Sequence, residues 1–130
     1  MAKLTKYSQT DKSVPPIYEK QRGWGKELWV ENLDEYCGKI LLLDDGKKCS
    51  MHFHMNKLET MYLQDGRVDI DLIDPATAER YTVSLHPGES VKIERGHPHQ
   101  IHALKKSTLI EFSTKHEEED SHKIWRGDVL

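Results

Sequence analysis

Turn signals divide most of this sequence into short segments, and their spacing limits the folds that the chain can adopt. Each signal combines glycine or proline with aspartate or another turn-forming residue. They stand at Asp44-Asp45-Gly46, Asp65-Gly66, Asp74-Pro75, Pro87-Gly88 and Gly96-His97-Pro98. No segment between them sustains a helical period. The pattern therefore indicates β-strands joined by tight turns.

From residue 27 onward we predict a series of short strands. They cover residues 27–33, 39–43, 49–55, 60–64, 67–73, 81–85, 90–94, 99–104 and 108–113. The strand at 67–73 is the clearest, because Val68, Ile70 and Leu72 alternate with Asp69 and Asp71. Many short strands at this spacing predict an all-β protein, built as a sandwich or a barrel.

Both ends of the chain differ from this strand region. Residues 1–23 are polar, contain Pro15-Pro16 and show no periodicity, so we predict an N-terminal arm. Residues 24–130 then form a single domain that ends in a short C-terminal segment, which suits a chain of 130 residues. The acidic run at 116–120 is predicted to be a solvated surface, with one helical turn as the alternative.

Charge and composition exclude several classes of partner. The net charge is -3, with 19 basic residues among 22 acidic ones and no basic stripe, which argues against nucleic acid and anionic membranes. No apolar run approaches the length of a membrane span, and the N-terminus lacks an apolar signal core. Cys37 and Cys49 are too few for a disulfide scaffold. We therefore expect reduced thiols and a cytoplasmic protein.

The predicted strand at 49–55 has one apolar face and one polar face. Cys49, Met51, Phe53 and Met55 share the first face, and Ser50, His52, His54 and Asn56 share the second. Side chains two residues apart on a strand point the same way, with Cα atoms about 6.6 Å apart. The two imidazoles can therefore converge on one metal ion, which requires the polar face to point inward.

Glu59 and His99 can complete such a metal site. Glu59 begins the next strand after a short bend, and His99 opens a strand after the turn at Gly96. A ligand set of nitrogen and oxygen atoms suits one divalent transition metal ion: Mn, Fe, Co, Ni or Zn. Positions left open on the ion would take water or a substrate, as a catalytic metal requires.

The spacing of these residues resembles the first signature motif of the cupin superfamily. Gly46, His52, His54, Glu59 and Gly66 match that motif at every position. The resemblance implies a single-domain jelly-roll β-barrel that holds a metal ion inside. It also implies that the two histidines and the glutamate of this motif are metal ligands.

The second cupin motif is matched in part. Gly88, Gly96 and His99 fall at the expected intervals, and the resemblance makes His99 the fourth ligand. Glu94 stands where the motif has proline, and Ala103 where it has asparagine. These departures imply a different turn shape and a roomier, less polar part of the pocket, and they remove no ligand.

Flanking motifs resemble the small cupins that are similar to mannose-6-phosphate isomerase. The matching stretches are Gly23-Trp24-Gly25-Lys26-Glu27, Glu111-Phe112-Ser113-Thr114 and His116-Glu117-Glu118. That group is associated with sugars, sugar phosphates and nucleotide sugars. The resemblance implies a carbohydrate ligand without identifying it.

Several other polar residues are interpreted as structural. We expect Lys57 to be a solvated loop residue near the mouth of the barrel. His86 and His116 are expected to be exposed, and His97 to lie in a turn. The tryptophans are expected to be packing residues: Trp24, Trp29 and Trp125.

An inward histidine face has a consequence for the opposite face of its strand. The apolar stripe of Cys49, Met51, Phe53 and Met55 would then point outward, and such a stripe is not normally left in water. We expect it to be covered by the N-terminal arm, by the C-terminal segment around Ile124, or by a second subunit. We predict a homodimer that buries part of this face.

Three functions compete for the predicted site. The first is a metal-dependent isomerase or epimerase of a sugar or sugar phosphate, with Glu59 as ligand and base and His102 as a weaker candidate for the base. The second is a non-haem oxygenase or oxidoreductase of a small molecule, since three histidines and a glutamate can hold Fe(II). The third is a non-catalytic module that binds a sugar or another small ligand.

Overall fold

The computed structural model describes residues 4–130, and nearly all of the regular secondary structure in this range is β-strand. The strands are β1 (Tyr18–Arg22), β2 (Gly25–Asn32), β3 (Cys37–Leu43), β4 (Met51–Phe53), β5 (Glu59–Ile73), β6 (Arg80–Leu85), β7 (Ser90–Ile93), β8 (His99–Ser113) and β9 (His122–Trp125). A single 3₁₀ turn at Glu118–Asp120 precedes β9. The all-β prediction is confirmed. Among the described residues, no helix is long and apolar enough to cross a bilayer.

The strands form one curled antiparallel sheet, a half-barrel of the jelly-roll type. One path runs β1-β2-β3-β8-β4-β9, and β5 pairs with β8 as well as with β6 and β7. The two long strands β5 and β8 pair along most of their length. They therefore hold both halves of the curled sheet together.

Both long strands replace a predicted pair of shorter ones. The turn predicted at Asp65-Gly66 is a bulge within β5, where the register with β8 shifts between Leu63 and Val68. Gly66 has φ +98°, and a side chain there would overlap the hydroxyl of Ser107. The chain bends at this point but stays in the sheet. A similar fusion joins residues 99–104 to residues 108–113 in β8.

The predicted N-terminal arm contains a strand. Strand β1 lies inside residues 1–23 and pairs with β2 from Tyr18↔Trp29 to Arg22↔Gly25. Pro15-Pro16 precedes this strand and does not interrupt it. The first three residues of the predicted arm lie outside the described residues.

The hydrophobic core fills the concave side of the sheet. Inward positions alternate along each strand, as the period of two requires. The core side chains are Trp24, Leu41, Leu43, Cys49, Met61, Leu63, Val68, Ile70, Leu72, Leu85, Ile93, Ile101, Ala103 and Leu109. Trp24 is therefore a packing residue, as expected.

The predicted apolar stripe is corrected at one of its four members. Cys49 belongs to the core, because the pairing of β4 shifts register between Met51 and His52. Met51 is fully buried, Phe53 stacks on His122 at 5.1 Å between ring centroids, and Met55 is 55% exposed. The C-terminal strand β9 pairs with β4, so this segment supplies part of the expected cover.

Candidate metal centre

Three histidines meet on the concave side of the sheet. His52 lies on β4, His54 directly follows it, and His99 opens β8 as the pairing partner of His52. The ring centroids are 4.8 Å apart for His52 and His54, 4.6 Å for His52 and His99, and 5.7 Å for His54 and His99. One nitrogen from each ring lies within 4.8 Å of the others. The three rings could therefore hold one metal ion.

Main-chain carbonyl groups orient all three imidazoles. Nδ1 of His52 lies 3.0 Å from the carbonyl oxygen of Ser50. Nδ1 of His54 lies 3.1 Å from the carbonyl oxygen of Asp120, and Nδ1 of His99 lies 2.9 Å from that of His97. A carbonyl oxygen only accepts, so each Nδ1 must carry the ring proton. In the neutral form of such a ring, Nε2 presents a lone pair, which is the usual arrangement of a metal-binding histidine.

Two of these rings are held in the neutral form that binds metals. Burial, together with the neighbouring imidazoles of His99 and His54, lowers the pKa of His52 to about 3. Burial also lowers the pKa of His54 to about 4, together with the positive charge of Lys57. Neither ring has to lose a proton before a metal ion binds at neutral pH.

Glu59 places a carboxylate beside this cluster. Its Oε1 lies 2.9 Å from Nε2 of His99, and its Oε2 lies 3.1 Å from Nζ of Lys57. Neither contact has hydrogen-bond geometry, so both oxygens and Nε2 of His99 lack a hydrogen-bond partner among residues 4–130. Buried polar atoms without partners are rare and unfavourable. A cation at this point would satisfy all three atoms, so the residues fit a metal ion.

The carboxylate of Glu59 is ionised. Burial alone would raise its pKa, but the contacts with His99 and Lys57 bring the pKa well below its usual range. Glu59 is only 1% exposed, so its charge acts where water does not screen it. A negative oxygen beside three imidazole rings matches the predicted ligand set, in which Glu59 remains a predicted ligand.

Lys57 is not the solvated loop residue that we expected. It is 3% exposed, and its Nζ lies 3.1 Å from each of three atoms: Oε2 of Glu59, Oε2 of Glu111 and Nδ1 of His116. Burial lowers the pKa of the ammonium, but the two carboxylates more than reverse this and raise its pKa overall. The group is therefore a permanent buried cation next to the histidine cluster.

Asp120 explains why the loop that carries Lys57 turns inward. Its carboxylate accepts hydrogen bonds from the backbone N–H groups of Met55 at 2.9 Å and of Asn56 and Lys57 at 3.1 Å. Burial would raise the pKa of Asp120, but these three donors lower it. The predicted solvated acidic run is thus corrected at Asp120, which is 4% exposed and fixes the loop between His54 and Glu59.

A cavity of about 520 Å³ opens beside the histidine cluster. Its apolar wall comes from the core and includes Trp24, Leu41, Met61 and Ile101. Its charged wall includes Arg22, Glu27, Lys39, Lys57, Glu59 and Glu111. A pocket with one apolar and one charged side suits a small polar molecule.

Comparison with solved structures places this geometry in a known architecture. No family model matches the sequence, and no curated protein matches it. A variant of oxalate decarboxylase from Bacillus subtilis is similar, with a TM-score of 0.77 and 14% identity over 95% of this chain and 34% of that chain. The capsular polysaccharide assembling protein CapF from Staphylococcus aureus has a TM-score of 0.76 and 16% identity, over 88% and 34% of the two chains.

A third similar structure is the formate complex of oxalate decarboxylase from Lactobacillus farciminis. Its TM-score is 0.71 and its identity 17%, over 83% of this chain and 34% of that chain.

This chain has the cupin fold. It spans about a third of the length of these cupins. The Bacillus subtilis oxalate decarboxylase has Mn(II) centres. In this chain, the three histidines are close enough together that they could hold a metal ion.

Two histidines lie away from this cupin centre. His102 is half-buried, and strand alternation turns it away from the face of β8 that carries His99, Ile101 and Ala103. It does not line the cavity described above, and it remains the weaker of the two predicted candidates for the base. His97 lies in the turn before β8 and hydrogen bonds with the hydroxyl of Tyr81 at 3.0 Å. Its main-chain carbonyl nevertheless orients His99.

Two expectations for single histidines have opposite outcomes. His86 is exposed, as predicted, and lies 3.2 Å from the carboxylate of Glu89. His116 is not exposed, because its ring packs against Trp29 and leaves only 8% of the residue accessible. It contacts Lys57 and lines the same cavity as His52.

Sequence reasoning missed four polar residues that line this cavity. The alternation of residues along the strands could have identified two of them. Lys39 alternates in phase with Leu41 and Leu43, and Glu111 alternates in phase with Leu109. Charged residues at inward positions of a strand indicate an internal ion-pair network. Lys57 and His116 lie outside the strands, where no periodicity reports the direction of a side chain.

Glu27 forms a second ion-pair group in the cavity wall. Its Oε1 accepts hydrogen bonds from Nζ of Lys39 at 3.0 Å and from the indole of Trp29 at 3.1 Å, and its Oε2 pairs with Arg22. Burial would raise the pKa of Glu27, but Lys39 and Arg22 lower it to about 2. This folded-state pKa lies below the ordinary value, so the stabilisation exists above pH 4.5 and disappears as the pH falls towards 2.

We predict that Glu27→Gln lowers the free energy of unfolding at pH 7 by on the order of 3 kcal/mol. The difference from the wild type should shrink as the pH is lowered from 4.5 towards 2. Urea denaturation at several pH values measures it. The matched control is Glu79→Gln, which changes an exposed carboxylate and should leave stability nearly unchanged. A pH-independent difference for Glu27→Gln would contradict the assignment.

Proposed function

We propose that this chain is a metal-dependent cupin enzyme that isomerises or epimerises a sugar or sugar phosphate. Its metal ion would be held by His52, His54, His99 and Glu59. The observation that carries the proposal is a set of buried atoms at the cluster that have no hydrogen-bond partner among residues 4–130. They are the two oxygens of Glu59 and Nε2 of His99, and they lie beside a cavity of about 520 Å³.

The proposed ion belongs to the divalent transition metals. Three imidazole nitrogens and one carboxylate oxygen suit Mn, Fe, Co, Ni or Zn. When bound, such an ion supplies Lewis-acid stabilisation of negative charge that develops on a substrate oxygen. The protein contributes the rest: carbonyl groups orient the imidazoles, and the apolar wall excludes water from one side of the substrate.

Proton transfer between neighbouring carbons requires a base in the cavity. Glu59 remains our proposed base as well as ligand, because it lies at the cluster and is ionised. Its low pKa makes it a weak acceptor while Lys57 and His99 contact it. The proposal therefore requires one of these contacts to loosen during turnover, so that the carboxylate becomes more basic.

Two findings support a carbohydrate as substrate. The similar cupin CapF is a capsular polysaccharide assembling protein. The charged wall of the cavity offers many hydrogen-bonding groups, as a molecule with several hydroxyl groups requires. A non-haem oxygenase is the second candidate, because the same ligand set can hold Fe(II) with open positions. A ligand-binding module without catalysis is the third.

We also propose a cytoplasmic homodimer. Cys37 and Cys49 are free and buried, which suits a reducing compartment. Met55, Ile124 and Trp125 are exposed apolar residues on or beside strands β4 and β9. A second copy of the chain would remove this surface from water.

The isomerase proposal predicts that solvent deuterium enters a substrate. The protein loaded with Mn, Fe, Co, Ni or Zn is incubated in D₂O with a panel of sugars and sugar phosphates, and exchange is followed by proton NMR. His54→Ala should reduce both metal affinity and exchange at least about tenfold, because a ligand is lost. His86→Ala, at an exposed histidine, should change neither.

Absence of exchange with every sugar would contradict the isomerase proposal. Oxygen uptake that depends on iron and on a thiol or diketone would then favour the oxygenase. Sugar binding that persists in His54→Ala, without exchange in any variant, would favour the binding module.

The dimer proposal predicts twice the chain mass in sedimentation equilibrium at micromolar concentration. Met55→Glu should shift the equilibrium towards monomer, because a charge would be buried in the interface. Leu33→Glu, at an exposed apolar residue between β2 and β3, is the control and should leave the dimer intact. A monomeric wild type would refute the dimer.

A further inference from the structure

His116 is held rigidly in the wall of the cavity. Its backbone N–H donates to the side-chain oxygen of Asn32 at 2.8 Å, and its carbonyl accepts from the amide nitrogen of Asn32 at 3.0 Å. Its ring meets the edge of Trp29 at 5.2 Å between centroids, and that of His54 at 6.2 Å. His116 therefore lines the cavity in one fixed position, close to His54 of the histidine cluster.

The contact with Lys57 determines which ring nitrogen of His116 carries the proton. Nδ1 lies 3.1 Å from Nζ of Lys57. An ammonium group only donates hydrogen bonds, so Nδ1 must be the acceptor. In the neutral ring the proton then resides on Nε2. A hydrogen bond from a cation to Nδ1 polarises the ring and strengthens the N–H at Nε2 as a donor.

This N–H is buried and finds no hydrogen-bond partner in the described part of the chain. The carboxylate of Glu118 lies 3.7 Å from Nε2, beyond hydrogen-bonding distance. That carboxylate is already paired with Lys20 at 2.6 Å and with Arg22 at 3.4 Å. A strong donor without a partner among the described residues thus belongs to a side chain that lines a cavity able to admit a small molecule.

The ring remains neutral, so its role is donation of a hydrogen bond. Burial lowers the pKa of His116 to about 3, and the positive charges of Lys57 and Lys39 contribute to the shift. An approaching ligand therefore meets one N–H donor with a fixed direction.

We propose that His116 is a ligand-binding residue, whose Nε2–H donates a hydrogen bond to an oxygen of the molecule bound at His52, His54 and His99. The inference rests on the proposed function only in requiring a ligand at that centre. The ligand class is a small molecule with oxygens on two sides. One oxygen faces the histidine cluster, and a carboxylate, carbonyl or hydroxyl oxygen accepts from His116.

Two substitutions separate this donor from a structural role. His116→Gln keeps an acceptor oxygen for Lys57 and an N–H for the ligand, whereas His116→Phe keeps the ring shape and loses both. Two probes are titrated into Co(II)-loaded protein, with the cobalt absorption as readout. Oxalate chelates through two oxygens and directs two others outward, whereas acetohydroxamate chelates without an outward oxygen.

The affinity for oxalate should fall at least about tenfold in His116→Phe, because one hydrogen bond to a charged oxygen is lost. The affinity for acetohydroxamate and the cobalt content should not change. His116→Gln should restore oxalate binding to within about threefold. Nitrogen NMR of the metal-free protein should show a protonated Nε2 and an unprotonated Nδ1 for His116.

Several results would overturn the inference. One is a protonated Nδ1 of His116 in the nitrogen NMR spectrum. Another is that His116→Phe loses equal affinity for both probes, or keeps an unchanged affinity for oxalate. The last is that oxalate does not bind to the Co(II)-loaded wild type. Failure of the sugar isomerase proposal is a separate result. It would appear as absent deuterium exchange in the wild type, while the ratio of the two probe affinities still decides the role of His116.

Discussion

The buried ammonium of Lys57 is the interaction on which the site depends. It joins Glu59 at the start of β5, Glu111 near the end of β8 and His116 in the C-terminal segment. The carboxylate of Asp120 holds the loop that carries Lys57 by accepting its backbone N–H groups. The two long strands, the loop and the C-terminal segment therefore meet at one charge. The orientation of the Glu59 carboxylate beside the histidines follows from that arrangement.

Stability alone does not explain so many buried charges. Removing two charges from water has a large desolvation penalty, and apolar residues of similar volume often give equal or greater stability. Lys39 and Glu27 form a second buried pair in the same cavity. Both pairs line the wall that faces the histidine cluster. The charges keep the cavity polar and hold its side chains in fixed positions, as preorganised recognition of a polar molecule requires.

Much of the site could be predicted because it follows the period of a strand. His52 on β4 and His54 directly after it were predicted to share a face, and Glu59 and His99 lie at strand starts, so spacing and alternation place all four together. Cys49 departs from the prediction because a register shift changes its side of the strand. Lys57, His116 and Asp120 were misjudged because they lie between strands. Their burial is decided by contacts with distant segments, which local periodicity does not encode.

The central claim is that His52, His54, His99 and Glu59 hold one divalent metal ion. Elemental analysis of protein purified without an affinity tag, combined with X-ray absorption spectroscopy, tests it most directly. The account predicts close to one transition metal ion per chain, with imidazole nitrogens and carboxylate oxygen as its ligands. Protein without metal that also fails to bind added Mn(II), Co(II) or Zn(II), or a metal ion with sulfur ligands, would contradict it.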